Sequence, residues 1–285
     1  MKKLTSLILI LSLAACSQEI ENPTGQYRDA QAAYEVSSFF EAEKLLIPLA
    51  EDDHPDAQFM LADIYMTGKL GEANIEKGLG WLLQAAEQGH VRAQAMMGPR
   101  LINGTGVTQN QEQGLEFLKS AAENGNPSAQ KMMGFLYEHG ELVEQNSHMA
   151  AEYYWVAINN SDEESVSRMI NLANGGVALA ETYTGLMYRD GIGVQTDAIK
   201  AANLVLSAAN KNQPMAQYLI SHAYGAGQGV DQDYLKAHMY ANLAASQGYE
   251  GAEKRRDVWS QLMTPEQIAQ AQEMARNWVQ DRETP

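Results

Sequence analysis

The sequence predicts an all-α protein, an α-solenoid of stacked antiparallel helix pairs. Three observations carry that expectation. Alanines recur at 36-residue intervals, at Ala57, Ala93 and Ala129 and again at Ala180, Ala216 and Ala252. Within each interval the apolar residues follow helical spacing, as in Leu61, Ile64 and Tyr65 or Met133, Leu136 and Tyr137. The composition is rich in alanine, glutamine, leucine and methionine with few β-branched runs, which favours helix. A period of this length marks a stack of supersecondary units rather than one globular core.

Taken in order, residues 1–15 have the parts of an export signal: Lys2 and Lys3, then an apolar core from Leu4 to Leu13. That core is shorter than the ~20 residues a membrane-spanning helix needs. Leu13-Ala14-Ala15-Cys16 resembles the lipobox of bacterial lipoproteins. The resemblance implies cleavage before Cys16, lipid on its thiol and acylation of the new amino group. Several acyl chains anchor stably where one binds only marginally. Ser17, rather than Asp, follows the cysteine, which in enteric-type lipoproteins implies the outer membrane, facing the periplasm. The other reading is an ordinary signal peptide with an incidental cysteine. Residues 16–26 are polar and read as a lipidated tether.

Residues 27–56 read as a shorter, tetratricopeptide-like capping pair. Ser37 and Ser38 form its turn, Phe39, Leu45, Leu46 and Leu49 its buried side, and Pro48 should end or kink its second helix. Five repeats follow over 57–251, at 57–92, 93–128, 129–164, 180–215 and 216–251, with an insertion at 165–179. In each, a small residue (Ala62, Gly98, Gly134, Gly185 or Ser221) falls where two helices pack most closely. A glycine then closes the first helix: Gly68, Gly104, Gly140, Gly191 or Gly227. Asn74, Asn110, Asn146, Asp197 or Asp233 starts the second as its N-cap. That helix carries Trp81, Phe117, Tyr153, Leu204 or Tyr240 as its large core residue.

The Gly191-x-Gly193 loop raises the possibility of a phosphate cradle. It recurs as Gly104-x-Gly106 and Gly227-x-Gly229, and no third glycine or Gly-Lys-Ser/Thr ending follows. It reads as a turn between helices.

Two places break the period. Pro99 lies inside a first helix, where it removes a hydrogen bond and bends the helix. In the insertion, Ser161 and Glu164 form a capping box. Val166, Met169, Ile170 and Ala173 then follow helical spacing up to Gly175-Gly176, so an additional helix is expected there. It could bend the stack, divide its groove into two lobes, or be a tolerated surface insertion. Residues 252–285 form the closing cap. Thr264-Pro265-Glu266-Gln267 starts its last helix, which turns Ile268, Ala271, Ala275 and Trp278 inward.

The combined pattern resembles the Sel1-like repeat family, relatives of the tetratricopeptide repeat. The matching residues are the initial Ala, Met133-Gly134 with Tyr137, the Gly-x-Gly-Val of Gly191 to Val194, the Asp-x-x-Lys-Ala of Asp197 to Ala201 and the Ala-Ala pairs. The resemblance implies an α-solenoid that binds proteins or peptides, usually without catalysis. In tetratricopeptide-type solenoids the first helix of each pair lines the concave face. That geometry places Phe59, Asp63 and Met66 in the groove, with Ala95, Pro99 and Ile102, then Lys131, Phe135 and Glu138. Thr182, Leu186 and Arg189 follow, and Tyr218, His222 and Gly225 complete the face. Phe59, Phe135 and Tyr218 are the candidate anchors, and Lys131 and Arg189 the counter-charges.

The chemistry of a site is otherwise sparse. The formal net charge of −16 argues against nucleic acid, whose phosphates need a basic face. Cys16 is the only cysteine, so no disulfide or cysteine metal site forms within one chain. Six scattered histidines and no His-Glu-x-x-His or Gly-x-Ser-x-Gly motif point to no catalytic residues, metal or cofactor. The expected function is therefore a non-catalytic envelope lipoprotein acting as an adaptor for an envelope protein or peptide. The alternative is a carbohydrate- or peptidoglycan-binding module, with Tyr153, Tyr154 or Trp155 stacking on sugars. An enzyme is the third reading.

Overall fold

The computed structural model describes residues 25–283. The signal segment, Cys16 and most of the tether lie outside the described residues. Among those residues the chain forms fifteen helices and no strand. The N-terminal pair is α1 (Gly25–Glu35) and α2 (Phe39–Glu51). The repeats form α3 (Pro55–Met66) with α4 (Ile75–Glu87), α5 (Val91–Asn103) with α6 (Gln111–Glu123), and α7 (Pro127–His139) with α8 (Ser147–Asn159). A single helix, α9 (Glu163–Asn174), comes next. The last two repeats are α10 (Ala178–Asp190) with α11 (Ala198–Asn210), and α12 (Pro214–Ala226) with α13 (Tyr234–Ser246). The closing cap is α14 (Ala252–Ser260) and α15 (Pro265–Glu283).

The chain divides into two compact units, one up to Met133 and one from Gly134. The boundary falls inside α7, and the 165–179 insertion lies wholly within the second unit.

The turn chemistry follows from the residues. Each first helix of a repeat ends at a glycine in the left-handed region, with φ of 69° at Gly68, 70° at Gly104, 72° at Gly140, 75° at Gly191 and 66° at Gly227. A Cβ there would cost roughly 1–2 kcal/mol. Asn74, Asn110, Asn146, Asp197 and Asp233 all cap the second helices through their side-chain oxygens, each cap being worth about 1 kcal/mol. Thr264 and Gln267 form the expected reciprocal box, with N···O distances of 2.9 and 3.3 Å.

Packing inside the second, third and fourth repeats is set by a glycine facing a larger residue. A Cβ on Gly98 would lie 2.8 Å from Leu118, one on Gly134 2.6 Å from the Tyr154 ring, and one on Gly185 2.6 Å from Val205. In the first, third and fourth repeats the fully packed position of the second helix is one residue beyond the expected one, whereas Phe117 and Tyr240 are buried as expected. Tyr154 is fully buried and Tyr153 half-buried, and Val205 is buried where Leu204 is not. Adjacent residues straddle the buried stripe of a helix, so side-chain size alone does not decide between the two.

A second device joins consecutive helix pairs. Gln58, Gln94, Gln130 and Gln217 are buried, and each side-chain amide donates to a carbonyl eight residues earlier, at Ala50, Ala86, Ala122 and Ala209. Such a bond contributes about 1 kcal/mol and would leave a buried polar group unsatisfied if lost.

The insertion is half a repeat. Ser161 has φ of 69°, as Asp53, Gly89 and Gly125 also have positive φ at successive 36-residue steps before it. The cap of α9 is consequently Asp162, which accepts from Ser165 N at 2.9 Å, and not the expected Ser161. Asp162 is the counterpart of Asn126, which caps through Ala129 N, and Met169 is buried like Met97 and Met133. At Gly176 (φ 82°) the turn restarts, and α10 begins with no second helix between. The supernumerary α9 therefore behaves as a first helix without its partner, packed between α8 and α10.

Pro48 does not end its helix, one of the two outcomes expected of it, and Pro99 lies inside its helix as expected. α2 runs through Pro48 to Glu51, and α5 through Pro99 to Asn103. Pro48 sits on the exposed face, where the carbonyl it fails to bond can meet water.

Candidate functional site

In the first unit the expected groove residues are engaged within the fold. Phe59 on α3 stacks on His90, with ring centroids 4.4 Å apart. Asp63 accepts from Tyr34 and pairs with Lys69. Met66 lies over Gly78, whose added Cβ would meet its Cγ at 2.4 Å. Lys131 on α7 is half-buried.

In the second unit, Phe135 and Glu138 close around Arg168 of α9. The guanidinium carbon is 5.1 Å from the Phe135 ring centre and Nη1 is 3.4 Å from Glu138. His139 covers Phe135 at 4.1 Å, and Tyr154 donates to Glu138 at 2.6 Å. Phe135 accordingly lies half-buried between Arg168 and His139. The aromatics considered for sugars are engaged likewise. Tyr153 stacks on Tyr137 and Trp155 on Tyr183, with rings 5.7 and 4.6 Å apart, and Tyr154 is buried.

Arg189, Tyr218 and His222 come together. They surround a hollow of about 260 Å³ in the second unit, between α10, α11 and α12, with Arg255 of α14 completing the wall. The repeat explains why space exists here. In the first repeat the corresponding positions hold Ile75, Leu79 and Leu82, with Met66 laid over them; in the second they hold Gln111, Leu115 and Leu118, with Ile102. In the fourth repeat the floor is Ala198, Ala202 and Val205, and the covering residue is Arg189. Arg189 does not fold over the alanines: its guanidinium forks onto the adjacent Asp190 at 2.7 and 2.6 Å. In the fifth repeat Gly225 stands at the covering position, and Trp259 of α14 fills the gap, donating to Ser221 at 3.0 Å.

The hollow is positively polarised in an acidic chain. Arg255 Nη2 donates to the Tyr218 hydroxyl at 2.7 Å, and its guanidinium lies 4.8 Å from the ring centre. Burial, followed by the charges of Arg255 and Arg189, holds the His222 pKa below the ordinary 6.5, so the imidazole is neutral at pH 7. The bond between Arg189 and Asp190 raises the one and lowers the other. Arg255 has no place in the sequence expectation because it belongs to the closing cap. The signal that identifies it is its place one 36-residue step after Leu219, at the start of the next first helix. Among the described residues, no cluster of three or more His, Cys, Asp or Glu is placed to hold a metal, and no helix is long and apolar enough to cross a membrane.

No curated protein sequence matches the chain. Several solved structures align with it over most of its length. The protective antigen c5321 of uropathogenic Escherichia coli, described as displaying an SLR fold, is 23% identical with a TM-score of 0.42; the match covers 84% of this chain and 56% of that one. The present chain thus spans little more than half of that protein. A Sel1 repeat protein from Oxalobacter formigenes is 25% identical over 90% of this chain and 96% of that one, with a TM-score of 0.45. The immunity protein Pa5087 of Pseudomonas aeruginosa is 21% identical over 78% and 83%, with a TM-score of 0.35. The family model described as Sel1 repeat matches five times, at residues 55–90, 91–126, 127–160, 178–213 and 214–249. Proteins built from this repeat generally mediate protein–protein interaction and are typically non-catalytic. With five matched repeats covering more than half of its length, the chain belongs to the Sel1 repeat family.

Proposed function

We propose that this chain is a non-catalytic adaptor of the cell envelope. In this reading it is held at the outer membrane by a lipidated Cys16 and binds a protein or peptide segment in the hollow beneath Arg189. The observation that carries the binding site is the local failure of the repeat to fill itself. The fourth repeat keeps its caps, its turn glycines and Gly185 against Val205, yet replaces its floor and cover by Ala198, Ala202 and Arg189. Packing does not require those replacements, since the first two repeats use larger residues at the same positions, Ile75, Leu79 and Met66 or Gln111, Leu115 and Ile102. At about 260 Å³ the hollow is below the ~300–1,000 Å³ usual for small-molecule sites, a size suited to one or two side chains of a partner. The anchor rests on the lipobox-like Leu13-Ala14-Ala15-Cys16 and on Ser17.

Two measurements test the reading. Metabolic palmitate labelling should mark the wild-type chain and not Cys16→Ser, with the wild type sedimenting in outer-membrane fractions. Chemical crosslinking in intact cells, followed by capture of the full chain, should recover a partner that is lost when Ala202→Leu refills the hollow. Recovery unaffected by Ala202→Leu would remove the hollow as the binding site, and an unlabelled wild-type chain would remove the anchor.

A further inference from the structure

The character of the hollow goes further than its size. Its floor is apolar, built from alanine, valine and Leu186, while its rim carries Arg189, Arg255, Tyr218 and His222. Two guanidinium groups at one small opening are unusual in a chain of net charge −16, and they repel each other unless something negative lies between them. Arg255 forms no ion pair among the described residues; its donor goes to the neutral Tyr218 hydroxyl. Because that hydroxyl accepts from Arg255, its own hydrogen remains available to donate outward. Arg189 is paired only with its sequence neighbour Asp190, and both side chains are about half exposed, at 50% and 41%. An ion pair so exposed contributes little and exchanges readily for another carboxylate.

We infer that the hollow recognises an acidic side chain of a partner peptide, with Arg189 and Arg255 as the two cationic donors, Tyr218 as a third donor, and the alanine floor receiving a neighbouring apolar side chain. The inference rests on the adaptor reading above and names the chemistry of its partner. Planar guanidinium forks fit a carboxylate geometrically as well as by charge. The apolar floor favours a peptide carboxylate with adjacent apolar side chains over an isolated inorganic anion. Asp190 then acts as a resident placeholder: it holds Arg189 extended at the rim and yields it when a ligand carboxylate arrives.

The test is selection from a phage-displayed library of random heptapeptides on the immobilised full chain in detergent. Clones retained by the wild type should be enriched in Asp and Glu over the starting library and should carry apolar residues beside them. They should bind about tenfold more weakly to the Arg189→Gln, Arg255→Gln variant. They should weaken similarly when their acidic residue is changed to the amide, and should bind roughly threefold tighter to Asp190→Asn, which frees Arg189. Arg189 is at the surface, so Arg189→Gln alone serves as the check if the double variant melts early. Clones without acidic residues that bind the double variant as well as the wild type would overturn the inference. If those same clones are lost with Ala202→Leu, the peptide-binding hollow stands and only its acidic preference falls. If they survive Ala202→Leu, or no clone is enriched, the hollow and the inference fall together.

Discussion

Lys211 donates to the buried Glu181 at 2.7 Å, across the same thirty-residue interval at which Gln88 donates to Gln58 and Gln247 to Gln217. Glu181 occupies the position of the buried glutamines, on the first helix after the half-repeat α9. A carboxylate cannot donate to the carbonyl eight residues earlier. Lys211 bridges the two helices instead, donating to Glu181 and also to Gly176 O at 2.8 Å, a different carbonyl from the Ala173 one that the repeat would use. Lys211→Ala should leave a buried carboxylate without its cation. Breaking a buried pair costs about 3–5 kcal/mol, but Lys211 is 40% exposed, so a loss of roughly 1–3 kcal/mol is expected. Glu181→Gln with Lys211→Gln restores the arrangement of the other repeats and should recover most of that loss in urea unfolding.

Gly134 and Tyr154 form a second coupled pair. A Cβ on Gly134 would sit 2.6 Å from a ring that is fully buried. Gly134→Ala should therefore destabilise by about 1–3 kcal/mol through overpacking. The first repeat accommodates Ala62 opposite Leu82 at the same two positions. Gly134→Ala with Tyr154→Leu should thus be less damaging than the sum of the single changes, by roughly 0.5–3 kcal/mol in a double-mutant cycle. Strict additivity would show that the two positions do not pack as the repeat requires.

His238 should make the fold sensitive to acid. It is 1% exposed with Nδ1 unpartnered, and its pKa is lowered by burial and by Arg256, with Asp257 opposing. A histidine with a depressed folded-state pKa takes up its proton more readily when unfolded. Its stabilising contribution is therefore present above the ordinary value of 6.5 and declines as pH falls through 6.5 toward the folded pKa. The first two repeats carry Leu79 and Leu115 at this position. His238→Leu should flatten the loss of melting temperature between neutral and mildly acidic pH, and an unchanged slope would place the acid sensitivity elsewhere.

Much of the fold was legible in the residues because turns and caps are local. Gly191 in its left-handed turn, Asp197 as a cap and Thr264 with Gln267 need only their immediate neighbours. Tyr153 and Tyr154 are nearly equivalent by helical periodicity, and the Gly134 contact that separates them comes from another helix. Asp162 displaced Ser161 as a cap because the left-handed turn of the preceding repeats continues into Ser161. The site was half legible. Arg189, Tyr218 and His222 follow from repeat geometry, whereas the hollow itself arises from small residues on α11 and from Arg255 on α14. Comparing each repeat position by position reveals the alanines; reading each helix alone does not. Arg168, which lies over the Phe135 ring, is on the supernumerary α9 and has no counterpart in the other repeats to signal it.

The most direct test of the proposed binding hollow is site-specific photocrosslinking of the full chain in intact cells. A photoreactive residue at His222, which lines the hollow, is compared with one at Asn203 on the exposed face of α11. The account predicts a discrete adduct from position 222, absent from position 203 and abolished by Ala202→Leu. Equal adducts from both positions, or an adduct from 222 that persists when the hollow is filled, would contradict it.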